Sequence, residues 1–312
     1  MNAIERLRQD LGWRPVQPAR RPVLFINPRS GGGKAARLSL PQRAVELGIE
    51  SIVLKPGQDL AELVAEAVDR DADLLGMAGG DGSLAAVASA ACAHDLPFVC
   101  VPAGTRNHFA HDIGVLRHDV VGALAACTRA LERRIDVAEV NGRVFLNNVS
   151  LGIYADAVRR PHYRSAKLRT LLAAAQEALG GQVSTSGIYV TDDAGREHDN
   201  PAVVLVSNNP YGLDHALAPG TRAHLDSGRL GVVVLERPAR RRRRGDRAWA
   251  ARSLAVAAPA PVDAARDGEA IRLRPPLRFA VRHRALRVRI SSRHPGMSPS
   301  ALLSARDRSG SH

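Results

Sequence analysis

From Pro22 onward the chain alternates short apolar runs with amphipathic stretches, and this rhythm predicts a strand–helix series. Pro22–Ile26 (PVLFI) reads as a strand that ends in the turn Asn27–Gly33. A helical stretch then extends through Leu47, a strand covers Ser51–Leu54, and a helix runs from about Leu60 to Asp69. The strand Leu74–Ala78 meets Gly79-Gly80-Asp81-Gly82, and a helix begins near Ser83. Phe98–Val101 enters Pro102-Ala103-Gly104-Thr105, again ahead of a helical segment. Repeated strand–loop–helix units argue for a Rossmann-like α/β domain over residues 22–135, its parallel sheet covered on both faces. In such sheets ligands bind beyond the carboxyl ends of the strands, where these Gly-rich loops lie.

The character changes after about Arg134. Val144–Val149, Gly187–Thr191, Ala202–Ser207, Gly231–Leu235, Leu277–Val281 and Ala285–Ile290 are short β-rich runs separated by turn residues. They predict a mainly antiparallel β-sandwich domain over residues 136–292, interrupted by one helix around Ala166–Leu179. Residues 1–21 form an N-terminal extension in which Ile4, Leu7 and Leu11 share one helical face near Trp13. That face can pack on the protein's own surface or lie at a membrane interface, and Pro15, Pro18 and Pro22 then break the helix. Residues 293–312 are polar and Ser/Arg-rich, and are expected to be a disordered tail.

Composition narrows the class. At 312 residues the chain is comfortable as two domains. Its longest apolar stretches, such as Leu84–Ala93, are about half the ~20 residues a membrane-spanning helix needs. The opening MNAIERLRQD has no apolar signal core, so a cytoplasmic protein is expected. Cys92, Cys100 and Cys127 are widely spaced in apolar surroundings and read as small buried hydrophobes.

The net charge is +13, and among 44 basic residues the only lysines are Lys34, Lys55 and Lys167, the rest being arginine. Such a field favours an anionic partner: a phospholipid surface, a nucleotide or nucleic acid. An Ala- and Arg-rich chain also follows from GC-rich codons, so charge alone does not choose. Aromatic content of 4% speaks against a stacking platform for single-stranded nucleic acid. The run Arg240–Arg244, with Trp249 nearby, suits either a solvated loop or an anionic membrane, where each arginine contributes about 1 kcal/mol. Asp156 fits a lipid-facing cleft or a helix cap, and the eleven histidines show no ligand spacing.

LLGMAGGDGSLAAVA is the most informative segment. Gly79, Gly80 and Gly82 let the backbone approach a ligand, and the following helix offers unpaired N–H groups to phosphate. Asp81 would repel that phosphate unless a cation stood between them, which points to Mg2+–nucleotide chemistry; a tight turn with Asp81 as helix cap is the plainer alternative. NPRSGGGK is not a P-loop, because Pro28 and Ala35 stand where GxxxxGK[ST] needs Gly and Ser or Thr. Asn27 and Ser30 can still donate hydrogen bonds there, and Gly104, Thr105 and Asn107 add a third strand terminus.

NPRSGGGK, GGDGS and GTRNHFAHDIG, in this order and spacing, resemble the catalytic region of the diacylglycerol kinase family. RIDVAEVNGRVFLNNVSLGIYADA, VSNNPYGLDHALAPGTRAHLDSGRLGVVVL and ARDGEAIRLRPPLRFAVRHRALRVRI are similar to that family's second half, so the likeness runs from about Val23 to Ile290. The resemblance implies an ATP site shaped by Asn27, Ser30, Gly79, Gly80, Asp81, Gly82, Ser83, Gly104, Thr105 and Asn107. It implies Mg2+ held by Asp81 and Asp136 through water or nucleotide, and Asp267 and Glu269 as the acids that include the general base toward a lipid hydroxyl. The active site would lie in the cleft between the domains. The implied partners are a membrane lipid substrate and, transiently, an anionic membrane at its inner face, with no specific nucleic acid; a homodimer stays open. Ser83 replaces the family's usual Thr, His108 its usual Asp, and Ser227 one acid of the DDG turn associated with a structural Mg2+.

Two other functions remain open at this level. NAD kinases and phosphofructokinases share a GGDG signature and phosphorylate soluble acceptors. A degenerate, non-catalytic member would bind nucleotide or membrane alone.

Overall fold

The computed structural model describes residues 3–152, 187–199, 201, 203–212, 220–235 and 247–309. Asp156, the helix expected at Ala166–Leu179 and Arg240–Arg244 fall outside them. The chain divides into two compact units: residues 1–135 with 284–312, and residues 136–283.

The first unit opens with α1 (Ala3–Asp10), β1 (Arg14–Val16) and β2 (Pro22–Ile26). It continues through α2 (Lys34–Arg37), α3 (Leu40–Glu46), β3 (Glu50–Val53), α4 (Leu60–Asp69), β4 (Leu74–Ala78), α5 (Asp81–Ala93), β5 (Pro97–Val101) and α6 (His108–Asp112). Strands pair in parallel in the order β3-β2-β4-β5. Every residue of β2, β4 and β5 is buried, which is why these strands read as unbroken apolar runs. The Asp59 side chain accepts the Ala61 N–H at 2.7 Å and caps α4.

The single helix expected after Gly33 is two, because Ser39 adopts a left-handed backbone (φ 48°) between α2 and α3. The chain ends also differ from expectation. Trp13 is 1% exposed and its indole N–H donates to Gly296 O at 2.6 Å, while Arg8 Nε donates to Pro295 O at 3.1 Å. The expected disordered tail instead holds a helix, Pro299–Ser309 (α7), whose start is capped by Ser298 Oγ accepting the Ala301 N–H at 3.1 Å. Met297 and Ser300 are buried, so a segment polar by composition is still anchored by a few inward-facing residues.

The described residues of the second unit form strands and turns. Strand β6 (Ala130–Val140) leads into it, followed by β7 (Arg143–Phe145), β8 (Asn148–Leu151), β9 (Tyr189–Asp192), β10 (Glu197–Asp199), β11 (Val203–Asn208) and β12 (Leu230–Leu235). Then come β13 (Arg247–Ala251), β14 (Ser253–Ala257), β15 (Val262–Arg266), β16 (Glu269–Leu273) and β17 (Leu277–Ser291). One antiparallel sheet has the order β13-β12-β11-β8-β15-β16, and a second run joins β10-β9-β14-β17 antiparallel. Inward residues of both, including Leu151, Val206, Val232, Val256, Phe145 and Phe279, form one core. Each such side chain contributes about 1.5–3 kcal/mol on burial. The fold is therefore a parallel α/β unit and an antiparallel β-sandwich unit. Beyond Arg284, β17 returns to the first unit and extends its parallel sheet, Arg287–Arg289 pairing with Pro97–Val99.

Two strand boundaries depart from the pattern. Val144–Val149, expected as one strand, is two, interrupted at Leu146-Asn147. Leu277–Val281 and Ala285–Ile290, expected as two, are one strand of 15 residues.

Candidate active site

Three loops of the first unit leave the carboxyl ends of the parallel strands β2, β4 and β5, and they meet. A Cβ added to Gly104 would lie 2.8 Å from Gly80 Cα and 2.9 Å from Gly79 O; one added to Gly31 would lie 2.4 Å from Ala103 O. Backbone packs on backbone here, which only glycine permits. Lys34 Nζ donates to Pro102 O at 3.3 Å, joining the first loop to the third, and Asn27 N donates to Ala78 O at 2.9 Å, joining the first to the second. Asn27, Ser30, Gly79, Gly80, Asp81, Gly82, Ser83, Gly104, Thr105 and Asn107 are thus all placed at one end of one sheet.

Asp81 begins α5, and its carboxylate accepts the N–H groups of His108 (3.4 Å) and Phe109 (3.2 Å). It caps the first turn of α6 from another loop. His108 keeps this contact through its backbone, so the exchange of a carboxylate for an imidazole leaves the turn held. Asn107, in the left-handed region (φ 52°), donates to Pro102 O and Gly104 O, while its buried Oδ1 has no hydrogen-bond partner. A Cβ on Gly80 would meet nothing within 4 Å, so the loop is open on that side.

These features fit a nucleoside triphosphate. The start of α5 has no side-chain cap, leaving its first N–H groups and dipole for an anion. An open glycine face could admit phosphate to the backbone, and Lys34 could supply a cation beside it.

The remaining predicted residues lie in the second unit. Asp136 is fully buried; Gly228 N–H donates to its Oδ2 at 2.7 Å, and His283 Nδ1 lies 2.9 Å from its Oδ1. At the neighbouring turn, Ser227 donates to Asn209 Oδ1 through both N–H (2.9 Å) and Oγ (2.6 Å). Among the described residues no group of three or more His, Cys, Asp or Glu is arranged to hold a metal ion by itself.

Asp267 and Glu269 differ sharply. Asp267 (φ 49°) and Gly268 (φ 86°) form the two-residue turn between β15 and β16, with Arg266 paired to Glu269. The Asp267 side chain points inward, 6% exposed, and accepts N–H groups of Leu146 (2.9 Å), Asn147 (2.7 Å) and Asn148 (3.2 Å). Glu269 opens β16 and is exposed.

Sequence reasoning missed Arg222. It is fully buried, and its Nη1 donates to Leu146 O at 2.7 Å and Asn208 O at 2.5 Å. Trp249, partly exposed, stacks on His198 with ring centroids 5.0 Å apart. All three cysteines are buried and reduced; burial pushes the Cys127 thiol up to about 12, with Arg289 opposing and Asp73 reinforcing the shift.

Residues 21–140 match the diacylglycerol kinase catalytic domain family. The chain is 31% identical to a diacylglycerol kinase of Bacillus subtilis over 57% of its own length and 60% of that protein. It is 27% identical to a probable lipid kinase, YegS-like, of Pseudomonas aeruginosa over 69% of its length and 72% of that protein. A crystal structure of a diacylglycerol kinase from Bacillus anthracis superposes with a TM-score of 0.62 at 17% identity, covering 89% of this chain and 100% of that one. The alignment thus spans about 60% of the Bacillus subtilis relative's length, and the solved structure matches in fold. The family likeness read from the motifs is met by the domain match and by both relatives.

Proposed function

We propose that this chain is an ATP-dependent lipid kinase of the diacylglycerol kinase type, transferring the γ-phosphate to a lipid hydroxyl. The observation that carries the proposal is the packing of Gly31, Gly79-Gly80 and Gly104 at the ends of three parallel strands, with Asp81 at the head of α5. Its kinship with proteins named diacylglycerol kinase and lipid kinase supports the acceptor class.

In this reading the glycine loops, the α5 N-terminus and Lys34 bind and orient the triphosphate. Asp81 is the residue that would hold Mg2+, through water, because its carboxylate already accepts the His108 and Phe109 N–H groups. Both Asp136 oxygens already accept hydrogen bonds within the second unit, so any metal beside it would be reached through water. A bound Mg2+ would supply charge neutralisation at the phosphates. Phosphoryl transfer then requires positioning and a base for the alcohol proton. Asp267 is buried and accepts three backbone N–H groups, so in this reading it fixes the hairpin, and the exposed Glu269 takes the hydroxyl proton. The enzyme would work from the cytoplasmic side at an anionic surface, which its +13 charge favours. No helix among the described residues is long and apolar enough to cross a membrane.

A panel of lipids in phosphatidylglycerol vesicles, with glucose and NAD added as soluble acceptors, incubated with labelled ATP and Mg2+, tests this. Label in a lipid is the expected result; label only in a soluble sugar or in NAD would move the acceptor to another class.

A further inference from the structure

We infer that Arg222 is a positioning residue for the acceptor-side acid, acting on Glu269 through the turn at Leu146–Asn148; this rests on the kinase reading above. A fully buried arginine is rare unless its donors are matched, because desolvating a guanidinium is costly. Here its donors reach the turn 146–148 and Asn208 beside it. Nη1 reaches Leu146 O and Asn208 O, and Nη2 reaches Asn147 Oδ1 at 3.3 Å. The guanidinium carbon also lies 5.7 Å from the Tyr211 ring centroid, and the Tyr211 hydroxyl accepts from Asn148 Nδ2 at 3.1 Å. The turn is therefore gripped on its carbonyl side by Arg222 and Asn208, whose Nδ2 also donates to Leu146 O at 3.3 Å.

The N–H side of the same turn does the second job. Its three N–H groups hold the Asp267 carboxylate, and Asp267 N donates back to Asn148 O at 2.9 Å. Asp267 and Gly268, both with positive φ, form the turn that delivers β16, and Glu269 is paired with Arg266 directly across it, so the seat of the Asp267 carboxylate bears on where Glu269 is held. Glu269 is the first residue of β16. The chain of contacts runs Arg222, turn 146–148, Asp267, Glu269. A guanidinium suits the first place because its planar fork reaches two carbonyls and a side-chain amide at once, which an ammonium cannot do with the same geometry.

The experiment is a double-mutant cycle of Arg222→Lys with Glu269→Gln, measured as kcat for labelled phosphate transfer to dioctanoylglycerol in phosphatidylglycerol vesicles, with KM for ATP alongside. Arg222→Lys is expected to lower kcat about ten-fold, leave KM for ATP within two-fold, and have less than a two-fold effect in the Glu269→Gln background. An equal loss in both backgrounds, or no loss in a folded Arg222→Lys protein, overturns the inference. Should Arg222→Lys not fold, Asn147→Ala replaces it in the same cycle with the same two readings. Amide hydrogen exchange of residues 146–148 is read in parallel. Faster exchange confined to that turn is expected in the variant, and unchanged exchange overturns the inference whatever the activity; faster exchange with no lipid phosphorylated by the parent means that the kinase reading has failed and takes the positioning role of Arg222 with it.

Discussion

Asp267 accepts the backbone N–H of Asn147 at 2.7 Å across 120 residues of sequence. That bond and its two neighbours divide the labour within the Asp267-Gly268-Glu269 turn, because a carboxylate filled with backbone donors is a brace and an exposed one is free to accept a proton.

The division has separable consequences. Asp267→Asn is expected to destabilise the second unit by about 1–3 kcal/mol, since an amide cannot accept all three N–H groups. Glu269→Gln is expected to change stability by less than about 0.5 kcal/mol, because the residue is exposed. Urea unfolding of the two variants beside the parent checks both.

The glycine cradle gives a second expectation. Gly104→Ala forces a methyl to within 2.8 Å of Gly80 Cα, so binding of a fluorescent ATP analogue should weaken at least ten-fold. Gly80→Ala meets no atom within 4 Å and should leave the melting temperature unchanged, while its methyl enters the open side assigned to phosphate and lowers affinity. Binding titrations and thermal melts of the pair distinguish steric damage from loss of the site.

Glu132 supplies a pH test. Burial alone would raise its pKa, but hydrogen bonds from Arg287 and Arg289 and their charges hold it below the ordinary 4.5. A depressed carboxylate stabilises the fold above its unfolded pKa and loses that contribution as pH falls through the folded value. The melting-temperature gap between the parent and Glu132→Gln should therefore be full at pH 7 and shrink below about pH 4.5.

Cysteine reactivity gives a fourth expectation. With its thiol near 12 and fully enclosed, Cys127 should resist a disulfide reagent at pH 8 until denaturant is added. Counting thiols released with and without guanidinium measures this.

Much of the first unit was legible because its signals are local. PVLFI, LLGMA and the glycines after each strand sit next to the structure they specify, and burial on both faces leaves little ambiguity. The second unit hid its key contacts. The break between Phe145 and Asn148 is unreadable in VFLNNVSL, because it is made by Asp267 far along the chain. Arg222 was invisible for another reason: in so arginine-rich a chain, one buried guanidinium looks like its many solvated neighbours. Ser39 and the helix near the carboxyl terminus were misread where a left-handed residue and a serine cap overruled composition.

The most direct measurement is transfer of label from ATP to dioctanoylglycerol in anionic vesicles by the parent, Asp81→Ala and Glu269→Gln proteins, with ATP binding recorded for each. The account predicts robust transfer by the parent, loss of nucleotide-dependent turnover in Asp81→Ala, and a fall in kcat of about 10²–10⁴ in a Glu269→Gln protein that still binds ATP. Transfer at the parent's rate by both variants would contradict it.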